Sequence, residues 1–185
     1  MSREKIVAGL DIGTCNAKIV VAKFREGNSF PQIAAVAQMP SAGLRKGVVV
    51  DLGEAAKSVS QVKELAQKSL GMPIDSVFVN INGSHLNCRQ SKGVVAVSRA
   101  DGEISEEDKN RAINASSAIS LSPNYEILHI LPRRFSVDNQ SDIKDPVGMR
   151  GVRLEVDSLL IEGLTPSMKS LAKCLQEADL EAAGF

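Results

Sequence analysis

Gly9-Leu10-Asp11-Ile12-Gly13-Thr14-Cys15-Asn16-Ala17-Lys18 lies between two β-like runs near the start of the chain. The run before it, residues 6–10, is apolar, and the run after it, residues 18–24, is apolar and rich in β-branched side chains. A turn of Asp, Gly and Thr between two such runs predicts a hairpin with a functional tip. Gly13 has no Cβ, so a bulky anion can approach its backbone closely. Successive N–H groups of Gly13, Thr14 and Cys15 are placed to form an anion-binding concavity, with the Thr14 hydroxyl as a further donor. Asp11, closing the first strand, faces the same space. A carboxylate there suits Mg²⁺ held through its waters, the usual state of this ion beside phosphate. The stretch therefore predicts a Mg-nucleotide phosphate loop, against the plainer reading of a hairpin with a polar turn.

Composition narrows the classes. With 185 residues the chain is one large or two small domains, and 43 % hydrophobic and 24 % charged residues are ordinary for a globular protein. Basic and acidic residues balance at 22 each, Trp is absent and aromatics make up 3 %, so neither a basic field nor base-stacking surfaces point to nucleic acid. Cys15, Cys88 and Cys174 are far apart and form no C-x-x-C, and His85 and His129 have no ligand spacing. His85 near Cys88 is two candidate ligands, not a site. Neither structural zinc nor a disulfide framework is expected. The first residues lack the apolar core of a signal peptide and no long apolar run spans a membrane, so a cytoplasmic location is the expectation.

Along the chain, residues 32–39 add a third strand after the Glu26-Gly27-Asn28 turn, which predicts an antiparallel meander. Asp51, with Glu54 three residues on, opens a helix as a capping box. Ala55, Val59, Val62, Ala66 and Ser69 give it a face of small residues, and Gly71 and Pro73 end it. Residues 75–82 alternate like a strand, and Gly83 breaks the pattern at an expected domain boundary. Residues 94–97 read as a short strand. Ser105 to Asp108 opens a second helix by a capping box, with Ala112, Ile113, Ala115, Ala118 and Ile119 as its core face. Its Glu106, Glu107 and Asp108 read as a solvated acidic first turn suited to the helix dipole, not as a metal site. Residues 125–137 form a long strand interrupted by Pro132, an edge or bulge position. Arg133 and Arg134 there read as solvated. Residues 138–151 read as a loop and 152–161 as a strand. Thr165-Pro166 starts a third helix with proline at its permitted first position, and its stripe is Met168, Leu171, Ala172 and Leu175.

Six ordered pieces carry a resemblance. They are GLDIGT at 9–14, PSAGLRKGVVVD at 40–51, NGSHL at 82–86, ISEED at 104–108, LHILP at 128–132 and DPVGMRG at 145–151. Together they resemble the FtsA family of actin-like bacterial cell-division proteins over essentially the whole chain. The resemblance implies an α/β fold: an actin-like (ribonuclease H-like) subdomain, 1A, carrying a small inserted α/β subdomain, 1C. The implied division is 1–83 for the first part of 1A, 84–163 for 1C and 164–185 for a return to 1A, truncated before the second actin-like half. It implies ATP with Mg as cofactor in the full-length family protein and none bound in a fragment. It also implies polymerisation, tethering of the FtsZ ring to the inner face of the membrane at the division site, and recruitment of later division proteins through 1C. The phosphate role maps onto Asp11, Gly13, Thr14 and Cys15, with Asn16 and Lys18 beside them. No catalytic residue and no direct metal ligand is implied, and ATPase activity is weak at most.

The resemblance also sets what a full family member adds. A second glycine-rich phosphate loop, an adenosine pocket, the FtsZ-contacting domain and a C-terminal membrane helix have no counterpart in these residues, so the chain reads as an N-terminal portion. Two rivals remain in view. A small-molecule kinase of the same fold needs a catalytic Asp base and the second loop. A pilus-assembly actin-like protein shares the inserted domain but matches GLRKGVVVD and DPVGMRG less well.

Overall fold

The alternation of apolar residues from Ile6 onward builds the first sheet, and a computed structural model of the chain, describing residues 5–26 and 30–185, shows how. Strands β1 (Lys5–Ile12), β2 (Asn16–Phe24) and β3 (Gln32–Pro40) form the antiparallel meander. Part of the Glu26-Gly27-Asn28 turn lies outside the described residues. Two short strands, β4 (Leu44–Arg45) and β5 (Val48–Val49), lead into helix α1 (Leu52–Leu70). Strand β6 (Ser76–Val79) then runs parallel to β1. After an intervening unit come helix α3 (Thr165–Glu177; α2 belongs to that unit) and a last strand, β11 (Glu181–Gly184), parallel to β6. The sheet order is β11-β6-β1-β2-β3.

Register decides which face is core. The pairs Ala8↔Val21, Leu10↔Ile19 and Ile12↔Ala17 share one face, and all six residues are buried with Val77 and Val79. On this face lie Ala55, Val59, Val62 and Ala66 of α1, each 0 % exposed. Full burial of a valine is worth about 1.5–3 kcal/mol, so the small face of α1 is a substantial contribution. Leu171, Cys174 and Leu175 of α3 join the same core, and Lys63 of α1 donates to the carbonyls of Ala178 and Asp179 at 3.0 and 2.9 Å. The Asp51 carboxylate accepts from the Glu54 N–H, and Gly71 ends α1 in the left-handed region at φ 77°. Ser69 and Ala172, expected in the core faces, are exposed; the true stripes pass through Ala56 and Ser58 in α1 and through Cys174 in α3.

Contacts divide the chain into residues 1–85 with 166–185, and residues 86–165. The second unit contains β7 (Leu86–Ala96), α2 (Glu106–Ser116), β8 (Tyr125–Val137), β9 (Gln140–Ile143) and β10 (Arg153–Leu164), in an antiparallel sheet ordered β7-β10-β8-β9. Ile104, Ala112, Phe135, Val137, Ile143, Leu154 and Val156 form its core. The loop at 145–151 folds back on 102–104: Ile104 N–H donates to Met149, and Gly148 and Gly151 donate to Ile104 and Gly102. Pro132 falls beside a register shift between Asp157 and Ser158, so the sheet accommodates the missing donor.

Four expectations are corrected in this unit. β7 starts at Leu86, eight residues before the predicted strand, because ladder bonds to β10 hold a polar segment that has no apolar alternation. Residues 140–143 form a strand where a loop was expected. α2 ends at Ser116, which leaves Ala118 and Ile119 outside it. Asp108 is 0 % exposed rather than solvated, while Glu106 and Glu107 are exposed as expected.

Candidate functional site

The tip between β1 and β2 is a three-residue loop, Gly13-Thr14-Cys15, closed by the Gly13 N–H donating to the Asn16 carbonyl at 2.9 Å. This corrects one detail of the concavity: the Gly13 N–H is committed to the turn, and the N–H groups of Thr14 and Cys15 are the ones left to face an anion. A Cβ on Gly13 would stand 3.0 Å from the Asn16 oxygen, so the glycine serves turn closure. Thr14 and Cys15 are exposed and Asn16 is half-buried. The Cys15 carbonyl accepts from Ser41 N–H at 3.0 Å.

Asp11 and Lys18 are register partners on the face opposite the core, and Lys18 Nζ lies 3.3 Å from Asp11 Oδ2. Side-chain exposures of 47 % and 37 % make this a solvated pair, worth about 0–1 kcal/mol. A hydrated cation or a phosphate can therefore separate the two at little cost. The pair lines an open apolar groove of about 540 Å³ together with Gly9, Val20, Phe78, Asn80 and Phe185 among others.

Two segments not assigned to the site in the sequence reading flank the hairpin. Gly47 N–H donates to Thr14 Oγ1 at 3.3 Å, which leaves the hydroxyl proton free to donate outward. Asn80 N–H donates to the Leu10 carbonyl at 3.1 Å. The glycines at 43, 47 and 83, all with positive φ, were the available signal.

Elsewhere, titratable groups have structural explanations. Burial opposes the charge of Asp108, but bonds from Arg111, from the Ser105 backbone and hydroxyl and from the Ser98 hydroxyl outweigh it and hold the carboxyl well below the usual range. Burial, and then Glu177, push the Cys174 thiol up to about 11, so it is an inert core residue. Buried Glu162 is paired with Arg89: Nη2 donates to Oε2 at 3.5 Å, while Nε stands 3.3 Å from Oε1 without hydrogen-bond geometry. Among the described residues no group of three His, Cys, Asp or Glu is placed to hold a metal, and no helix is long and apolar enough to cross a membrane.

A meander followed by two parallel strands, with an α/β unit inserted after the fourth strand, defines an actin-like protein with an interrupted first subdomain. The PilM-PilN type IV pilus biogenesis complex has a similar fold, with a TM-score of 0.59 at 17 % identity over 96 % of this chain and 46 % of that one. Residues 83–162 match the family described as "SHS2 domain inserted in FTSA". The cell division protein FtsA of Bacillus subtilis is 35 % identical over 181 residues, covering 98 % of this chain and 41 % of that protein. FtsA of Borreliella burgdorferi is 38 % identical over 178 residues, covering 96 % and 43 %. FtsA of Escherichia coli is 29 % identical over 177 residues, covering 96 % and 41 %. The chain belongs to the FtsA family of cell division proteins, and spans about two-fifths of the length of these relatives.

Proposed function

We propose that this chain is the phosphate-hairpin and insertion portion of an FtsA-type assembly protein, which binds Mg-ATP and works by polymerising, tethering the FtsZ ring to the inner face of the membrane at the division site and recruiting later division proteins. The observation that carries the reading is the match to FtsA along nearly the full chain, joined to a hairpin in which Asp11 is followed by an exposed Thr14-Cys15 tip closed by the Gly13–Asn16 bond. In this reading Asp11 orients the waters of Mg²⁺, while Thr14 and Cys15 hold phosphate. Asn16 shapes the turn and Lys18 is a movable counter-charge. Nucleotide binding serves assembly, and ATP hydrolysis is weak at most. With a single phosphate hairpin, isolated 1–185 holds Mg-ATP weakly, since each 1.4 kcal/mol of lost contact is about tenfold in affinity.

The test replaces the matching segment of Bacillus subtilis FtsA with this chain. The chimera should locate to division sites and bind Mg-ATP, and Asp11→Ala should weaken that binding at least tenfold, about 1.4 kcal/mol, whereas Lys18→Ala should do less. A chimera that never reaches division sites overturns the division role. Unchanged Mg-ATP affinity in Asp11→Ala overturns the phosphate role.

A further inference from the structure

The Lys46-Gly47 turn is wedged between the phosphate hairpin and the segment that follows β6. Both residues have left-handed backbone, at φ 51° and 78°, a conformation uncommon for a lysine. On one side, Gly47 N–H meets Thr14 Oγ1 at 3.3 Å. On the other, a Cβ on Gly47 would stand 2.2 Å from the Asn82 carbonyl oxygen and 2.4 Å from its Oδ1. The exclusion is reciprocal. A Cβ on Gly83 would stand 2.6 Å from the Lys46 carbonyl oxygen and 3.0 Å from His85 Nδ1. His85 is 7 % exposed, and its Nδ1 has no hydrogen-bond partner. Two backbones thus touch with no room for a side chain on either. Close-packed backbone cannot yield as a flexible side chain does, so it transmits displacement.

We infer that Gly47 is a positioning residue of the phosphate hairpin, fixing the Thr14 hydroxyl, and that the Gly47–Asn82 and Gly83–Lys46 contacts couple the state of the hairpin to Gly83 and His85. A hydroxyl that accepts from Gly47 can donate its proton to a phosphate oxygen, and the two bonds polarise each other. The coupling is reciprocal, because an anion that tightens the Thr14–Gly47 bond is itself bound more tightly when that bond is preformed. Its meaning for nucleotide rests on the proposed phosphate role, but the coupling can be tested without nucleotide.

The experiment follows backbone amides and the His85 ring by NMR in the chain 1–185, comparing wild type with Thr14→Val and Thr14→Ser. Thr14 is exposed, so both variants should fold. Thr14→Val should raise exchange of the Gly47 amide several-fold and shift the Gly83 amide and His85 ring signals, and Thr14→Ser should restore all three. Gly47→Ala should reproduce the His85 shift. If Thr14→Val disturbs only residues 13–16 and Gly47, the coupling is refuted. A second arm titrates Mg-pyrophosphate into wild type. Binding accompanied by the His85 shift supports the positioning role. Binding that leaves His85 unmoved refutes it. No binding, together with the Thr14→Val result, supports the coupling, and the phosphate role is then decided separately by Asp11→Ala in the chimera.

Discussion

Gly93→Ala tests how closely α2 lies on its sheet. Gly93 is buried on β7, opposite Val156, and α2 crosses directly over it. A Cβ there would stand 2.0 Å from the Ala112 carbonyl oxygen and 2.6 Å from the Ser116 N. Both are helix backbone atoms, so no side-chain rotation relieves the clash. To regain an ordinary contact of 3.4 Å or more, α2 must lift by more than an ångström. That gap opens beside Ala112 and Ser116, both 0 % exposed, and stretches the buried bond from Ser116 Oγ to Ser158 Oγ, now 2.9 Å. Overpacking costs about 1–3 kcal/mol and a lost buried hydrogen bond about 1 kcal/mol. Replacing a strand glycine returns about 0.5–1 kcal/mol. The net loss is about 1–3.5 kcal/mol, set against about 4–12 kcal/mol for a unit of this size. The single tyrosine, Tyr125, lies in this unit, so urea unfolding followed by its fluorescence reads the right part of the chain. The midpoint should fall clearly at unchanged slope, while Gly9→Ala, whose Cβ meets nothing within 4 Å, should leave it in place. A Gly93→Ala midpoint within error of wild type would refute the close docking of α2.

Two further outcomes follow from the same structure. The folded-state pKa of Asp108 is depressed, so its contribution to stability is full above the ordinary value of 3.8 and declines as pH falls below it; Asp108→Asn should lower stability at neutral pH and flatten the acid limb in urea unfolding read at Tyr125. The sheet face opposite the core exposes Val20, Val36 and Phe78 at 41 %, 61 % and 52 %, a contiguous apolar surface of the kind that drives association; light scattering over a concentration series should show 1–185 self-associating, and Val20→Ser with Phe78→Ser reducing it, whereas unchanged scattering would place the contact elsewhere.

Local signals were legible where the chain carries its own punctuation. Asp51 and Gly71 mark both ends of α1 because caps and stops are properties of a few neighbouring residues. Ser105 marks the start of α2 for the same reason, and the capping box forms with Asp108 as its acid. The same four residues could not reveal that Asp108 is buried, because that depends on Ser98 and Arg111 closing around it. β7 was hidden because Asn87, Arg89 and Ser91 stand where a self-sufficient strand would show apolar residues. Arg89 is there to meet Glu162, 73 positions away. β11 was hidden because Glu-Ala-Ala-Gly has no strand preference and is drawn into pairing by β6. In the site, the hairpin was legible as a contiguous motif. The contact from Gly47 to Thr14 spans 33 positions, and only folding brings it into being.

The core and the candidate site are two readings of one register. Side chains alternate with a period of two along a strand, so pairing Leu10 with Ile19 on the core face forces Asp11 and Lys18 to meet on the other. A one-residue slip would place Asp11 in the core and Leu10 in water, and the cost of both errors fixes the pairing. The Gly13–Asn16 bond then closes the loop at a fixed length, which sets Thr14 and Cys15 at the tip of the hairpin that carries Asp11. The amides proposed to hold phosphate and the Asp11 carboxylate arrive together because the apolar residues around them have only one arrangement that buries them. A substitution that loosens the register, such as Leu10→Ala, would therefore be felt at the site even though the Leu10 side chain is buried in the core, 2 % exposed.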